Sequence, residues 1–307
     1  MYDNVDMSMY KNECPRTDFL ELVPQFLTRV SNTGESQYGG YCNGFLDSLK
    51  VSVSDSRVKI SGSSLCKFYL GDNFKTMTRG DTEKAIQSIS DRLHLPFGKA
   101  NVTRIDFAQN LIMKYPESVY YPYLGESQYY RRLEQDNGLY YNNNKRQLLF
   151  YGKEHEQRVK REPIPELYKG QNVLRYELRF KKRIGSQLHQ PAVTAGLLSD
   201  SLFYRGLKER WWDEYKAIQK VNIKLSNMKP TGSKKQFASD LALLAVLELG
   251  QAKVMGVIKE WRVKGEIDKK QAYELRNFVK GLSYNNPEEG NELIRELDQK
   301  VKEVHLA

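Results

Sequence analysis

The chain of 307 residues is 40% hydrophobic and 28% charged, which permits a sizeable core and argues against disorder. Lys and Arg outnumber Asp and Glu by 48 to 38, a net charge of +10. That excess favours a polyanionic partner, because phosphates neutralised by basic side chains release their counterions. A membrane role fits less well: the longest apolar run, 241–247, is far short of the roughly 20 residues a bilayer requires. The start Met1-Tyr2-Asp3-Asn4 lacks a secretory pattern. Three cysteines (Cys14, Cys42, Cys66) without C-x-x-C spacing suit neither a disulfide framework nor a thiolate zinc site. Together these features predict a cytoplasmic protein, with no membrane partner.

In chain order, Gly39-Gly40 and Gly44 read as turn glycines, and with no G-K-[ST] after them they make no phosphate loop. Residues 49–54 and 57–61 alternate on either side of Asp55-Ser56 and predict a hairpin. A strand is expected over 66–70, stopping at Gly71-Asp72. Residues 82–93 predict a helix, with Ala85, Ile86, Ile89 and Leu93 on one face and Asp81 as its cap. Then come a strand over 101–109, a hairpin over 139–152 around Asn142-Asn143-Asn144, and a strand over 172–181. From about 197 the pattern is helical with almost no strand signal. A break falls at 229–233, and helices are expected over 235–263, 269–282 and 287–304. The segment 238–246, with Phe237, Leu241 and Leu244, is apolar nearly all round and predicts a buried core helix. Gly265-Glu266-Ile267-Asp268 between two helices suits either a helix-turn-helix or a plain bundle. The fold class is therefore α+β: an antiparallel-sheet domain over 1–195, then an all-α domain over 196–307 that binds DNA or a partner.

Side chains alternate between the faces of a strand, and three strands carry an unusually polar second face. Ile105 and Phe107 oppose Arg104 and Asp106; Leu174, Tyr176, Leu178 and Phe180 oppose Arg175, Glu177, Arg179 and Lys181; Leu148 and Phe150 oppose Leu149, Tyr151 and Lys153. In one sheet, that face would gather two carboxylates, a phenol and an ammonium, bordered by arginines, as a phosphoryl-transfer site requires. Neighbouring carboxylates repel unless a cation lies between them, a role suited to Mg²⁺ or Mn²⁺. The same alternation also fits a solvated face of surface ion pairs.

The ordered triple Val102-Thr103-Arg104-Ile105-Asp106, Tyr151-Gly152-Lys153-Glu154-His155-Glu156 and Leu174-Arg175-Tyr176-Glu177 resembles the filamentous-phage replication initiators of the gene II protein type. More distantly, it is similar to the rolling-circle initiators of small plasmids, in the divergent branch of the HUH-type nickases. The resemblance covers roughly residues 1–190 and implies an HUH-like nuclease sheet. It implies Tyr151 as nucleophile with Lys153 as its charge partner, and Asp106 and Glu177 as metal-site carboxylates. Glu156 becomes a second acidic position. The usual His-hydrophobic-His pair is missing, since the four histidines (His94, His155, His189, His305) are scattered. His155 is the spare candidate for a third ligand.

The implied reaction is nicking of origin DNA, single-stranded or supercoiled, through a 5′-phosphotyrosyl link that is later resealed. Host helicase and polymerase are the further partners. Residues 131–183 hold 14 Lys or Arg against 7 Asp or Glu. Arg131, Arg132, Lys145 and Arg146, with Arg104, Arg175 and Arg179, are the expected phosphate contacts. Of the tyrosines clustered between 120 and 141, most suit packing, while Tyr129-Tyr130-Arg131-Arg132 suits single-stranded DNA. Trp211-Trp212 reads as a packing anchor. Two rival functions fit the same pattern: a relaxase or transposase with the same tyrosine chemistry, and a non-catalytic DNA-binding or repressor protein.

Overall fold

Alternating apolar residues build most of the molecule into strands, and the computed structural model describes residues 1–36, 39–221, 233–249, 251–282 and 292–307. The strands are β1 (Tyr2–Tyr10), β2 (Thr28–Ser36), β3 (Gly39–Leu46), β4 (Leu49–Ser54), β5 (Arg57–Ile60), β6 (Asn101–Met113), β7 (Leu124–Ser127), β8 (Arg131–Gln135), β9 (Gly138–Asn142), β10 (Arg146–Gly152), β11 (Asn172–Phe180) and β12 (Ile218–Lys220). Ten of them form one antiparallel sheet in the order β2-β3-β4-β5-β1-β6-β11-β10-β9-β8, and β12 pairs with β7 apart from it. The helices are α1 (Phe19–Leu22), α2 (Leu65–Leu70), α3 (Arg79–Leu93), α4 (Lys153–Lys160), α5 (Ile184–Gln187), α6 (Ser201–Lys216), α7 (Lys234–Leu249), α8 (Gln251–Val263), α9 (Lys269–Gly281) and α10 (Glu292–Leu306).

The chain is thus mixed α and β, with a large antiparallel sheet and a helical C-terminal region. Several local expectations change. Residues 65–70 form α2 and not a strand: the Ser64 side chain accepts from Lys67 N–H, and Gly71 (φ 84°) closes the far end. The aromatic and apolar content there mimicked β propensity, but the caps decide. The cap of α3 is Thr78, and Asp81 is its reciprocal partner in a capping box. Gly39, Gly40 and Gly44 lie in β3 and not in turns. At Gly44 a Cβ would meet Leu27 Cβ at 3.0 Å, so the glycine serves close packing. A short strand, β12, interrupts the helical half.

The principal core joins the apolar sheet face to α6 and α10. Phe150 and Tyr176 stack at 4.5 Å with their planes 5° apart, and Trp211 of α6 lies 4.7 Å from Tyr176. Tyr176 donates to the Trp211 carbonyl over 3.0 Å, which satisfies its buried hydroxyl. Ile294, Leu297 and Val301 bring α10 into the same core. Residues 196–307 therefore contribute to two cores. The second is a smaller cluster of Leu243, Val246, Ile258, Ala272, Val279 and Leu282 on α7, α8 and α9. Helix α7 is not apolar-buried all round as expected, because Phe237 and Leu241 are exposed while Leu243 and Val246 are buried. The helix expected over 235–263 is two helices, with position 250 outside the described residues. Positions 229–232 of the expected break and 287–291 of the last expected helix also lie outside them. Among the described residues, no helix is long and apolar enough to cross a membrane.

Candidate active site

The sheet order puts β6, β11 and β10 side by side, so their polar faces coincide. Asp106 is in register with Arg179, Ala108 with Glu177 and Asn110 with Arg175; on the other side of β11, Leu149 is in register with Glu177 and Tyr151 with Arg175. This face is covered, not solvated. Asp106 is 0% and Glu177 1% exposed, beneath α4 and the segment around Asn73 and Phe74. Arg175 donates to the Asn73 carbonyl over 3.2 Å, and Asn110 donates to the Phe74 carbonyl over 2.9 Å. Buried ionic groups of this kind need partners, and surface pairing does not describe them.

The partners are dense. Arg104 grips Asp106 with two donors, at 2.8 and 2.6 Å, and the Asn4 amide adds a third at 2.9 Å. Arg179 Nε donates to Glu177 Oε1 over 2.8 Å and also lies 3.4 Å from Asp106 Oδ2. The Tyr151 hydroxyl donates to Glu177 Oε2 over 3.1 Å. Arg175 bonds Asp3 through Nη2, and its Nε lies 3.5 Å from Glu177 Oε2. Burial, then the charge of Glu177, raise the Asp106 carboxyl to about 7 against the pull of Arg104 and Arg179. Burial, then Glu177, also push the Tyr151 phenol above its ordinary value, with Arg175 opposing. The raised phenol is held as a hydrogen-bond donor to Glu177.

Tyr151 is 9% exposed, yet it lines two cavities. The first, about 410 Å³, runs from Tyr151, Glu177 and Arg179 toward Lys50, Ser63 and Lys67. The second, about 340 Å³, lies between the β9–β10 hairpin and α4. Tyr151 therefore stands between the two cavities, with its hydroxyl on the Glu177 carboxylate.

Of the residues singled out in the sequence, Tyr151, Asp106, Glu177, Arg104, Arg175 and Arg179 come together. Lys153 is buried at the start of α4 and bonds Glu156, with its Nζ 5.6 Å from the Phe74 ring centre. Arg175, not Lys153, is the cation with the strongest influence on the phenol. Burial, then Arg175, lower the Lys153 ammonium. Glu156 bonds Lys153 and Lys160, and His155 faces the second cavity. Arg132 is turned inward to the Leu124 and Tyr121 carbonyls, while Arg146 pairs with Glu214, away from this cluster. Arg131 and Lys145 are exposed. Tyr129 is 70% exposed, but Tyr130 is buried and donates to Glu214 over 2.8 Å. Asp3, Asn4, Asn73 and Asn110 were not foreseen. The alternation of Val5, Met7 and Met9 with Asn4, Asp6 and Ser8 was the signal for β1.

Oxygen donors on one face suit a hard divalent ion in type. Among the described residues, however, no three His, Cys, Asp or Glu side chains gather to hold one. Arg179 supplies the positive charge between Asp106 and Glu177.

One face of the antiparallel sheet thus buries paired carboxylates, arginines and a phenol beside two cavities. The model of the phage CRI family, described as the N-terminal part of a replication-associated protein, matches residues 1–199. The chain belongs to that family of phage replication proteins, whose role implies DNA as partner. No curated protein matches the chain.

Proposed function

We propose that the protein initiates rolling-circle replication by nicking one strand of origin DNA with Tyr151 and later rejoining it, on an HUH-like sheet. The observation that carries this reading is the Tyr151 hydroxyl bonded to Glu177 Oε2 at 3.1 Å on the wall of two cavities. An ordinary phenol is a weak nucleophile at neutral pH, and burial makes this one weaker until a base takes its proton. Glu177 Oε2, which accepts the phenol's hydrogen bond, is placed to take it and leaves Oε1 for a cation. The phenolic oxygen attacks phosphorus, the bond from phosphorus to the 3′ oxygen breaks, and the leaving oxygen takes a proton to become a 3′-hydroxyl. The new 5′-phosphotyrosyl bond retains the phosphodiester energy, so reversal seals a strand without ATP. Arg179, which lines both cavities, stabilises charge on the phosphate oxygens, while Arg175 holds Asp3 and Glu177 behind the phenol.

Mg²⁺ or Mn²⁺ belongs to this proposal, with Asp106 and Glu177 as its carboxylates and Arg179 yielding its place between them. Bound there, the ion would make phosphorus more electrophilic. Host helicase and polymerase would act on the nicked product in the bacterial cytoplasm, and helices α7 to α9 would bind DNA or a partner. The test is a denaturing gel of the protein with supercoiled or single-stranded origin DNA, with and without Mn²⁺. An SDS-resistant adduct mapping to Tyr151 and lost in Tyr151→Phe is expected. Undiminished cleavage by Tyr151→Phe would overturn the assignment, and no adduct at all would favour a non-catalytic DNA-binding protein.

A further inference from the structure

The two cavities that meet at Tyr151 differ in chemistry. The first is edged by Lys50 and Lys67, whose ammonium groups suit a phosphate backbone, and by Glu156 and Glu162, the latter paired with Lys67. The second is floored by Leu149, which is only 5% exposed and sits on the same sheet face as its register partner Glu177. Beside Leu149 on the next strand stands Tyr140, also in register with it. Val159 of α4, 69% exposed, forms the opposite wall. Its polar lining is Asn137, His155, Glu156, Lys160 and Arg179, the last three shared with the first cavity. Tyr140 donates to Asn137 Oδ1 over 3.1 Å and so fixes the Asn137 amide there, with His155 lining the cavity from α4.

We propose that this second cavity holds one unpaired base of the strand that Tyr151 attacks, with Tyr140 stacking on it and Asn137 and His155 meeting its edge. The inference rests on the nicking reading, because a phosphate at the Tyr151 hydroxyl must send its neighbouring bases into one cavity or the other. The volume of about 340 Å³ has room for a single nucleoside. A base enters such a slot only when it is out of the helical stack, so the site selects single-stranded or locally melted DNA. Stacking accepts any base, whereas the amide and imidazole at the rim discriminate between base edges.

The experiment uses the full chain carrying Tyr151→Phe, so that cleavage does not enter, and a single-stranded oligo(dT) bearing 5-iododeoxyuridine. Irradiation followed by peptide mass spectrometry should find the crosslink at Tyr140. In binding measurements with unmodified oligo(dT), Tyr140→Ala should weaken Kd about tenfold, within the range expected for one base stacked on an aromatic ring. Tyr140→Phe should bind as the parent does, which separates stacking from the hydrogen bond to Asn137. Crosslinks only elsewhere, for instance at exposed Tyr129, or unchanged binding by Tyr140→Ala, would overturn the slot. If the wild-type chain forms no adduct on origin DNA while Tyr140 still crosslinks, the nicking reading falls and the base site stands. An adduct without a Tyr140 crosslink removes the base site alone.

Discussion

Arg179 and Asp106 face each other across the β11–β6 ladder, with Nε 3.4 Å from Oδ2, and the same Nε donates to Glu177 over 2.8 Å. One guanidinium therefore joins two acidic side chains that would otherwise repel each other in a low-dielectric setting. Its reach across β6 and β11 couples the charge of each carboxylate to the other.

That coupling has a pH signature. The Asp106 carboxyl is raised to about 7 in the fold, against about 3.9 in an unfolded chain. A raised folded value means that its stabilising contribution is complete below about pH 4 and is lost as pH climbs through about 7. Asp106→Asn should remove this slope, so the variant gains on the wild type between those limits. Urea midpoints of both proteins across that range give the answer, and a constant difference would contradict it.

Arg175 lies against Asp3 with both side chains almost wholly buried. Arg175→Met should cost about 3–5 kcal/mol, because Asp3 is left charged in the interior. Equilibrium unfolding in urea measures it, and a loss below about 1 kcal/mol would mean that Asp3 finds water or another cation.

Ser64 has two duties: it caps α2 through Lys67 N–H at 3.0 Å and donates to Asp3. Ser64→Ala should cost about 2 kcal/mol, more than the ~1 kcal/mol of a cap alone. The comparison is with Asp268→Ala, which removes the cap of α9 and no buried carboxylate partner. Equal losses in thermal or chemical unfolding would deny Ser64 its second role.

Trp211 is fully buried beneath Tyr176, on the reverse of the strand that carries Arg175 and Glu177. Trp211→Ala should cost about 3–5 kcal/mol through the cavity it opens. It should also loosen β11, which hydrogen exchange at Tyr176 and Glu177 would register as lost protection.

Much of the sheet was legible in the residues. The strict alternation of 172–180 and 101–107 marked both faces of β11 and β6, and the Asn-rich turn marked the β9–β10 hairpin. Among the elements that escaped, β1 and α2 have identifiable reasons. Strand β1 carries register shifts between Tyr2 and Val5 and between Asp6 and Met7, which blur its period of two. Helix α2 has a strand-like composition and is fixed by Ser64 and Gly71, two flanking residues that a propensity reading underweights. The charge network was illegible for a different reason. Alternation puts Asp106, Glu177, Arg175 and Arg179 on one face, but whether arginines or a metal compensate the carboxylates depends on side-chain reach. That Arg175, and not Lys153, bears most strongly on the phenol followed from Lys153 turning to Glu156 at the start of α4.

The seat of β1 between β5 and β6 has a temporal consequence. Strand β1 waits for partners from much later in the chain: Asn4 meets Asp106 across 102 positions, and Asp3 meets Arg175 across 172. Such distant closures are slow, and a nascent chain lacking β11 has acidic side chains without their counter-charges. The charged centre is thus among the last features to mature, and a translation product that stops before residue 172 would carry the phenol without the carboxylate that accepts its hydrogen bond.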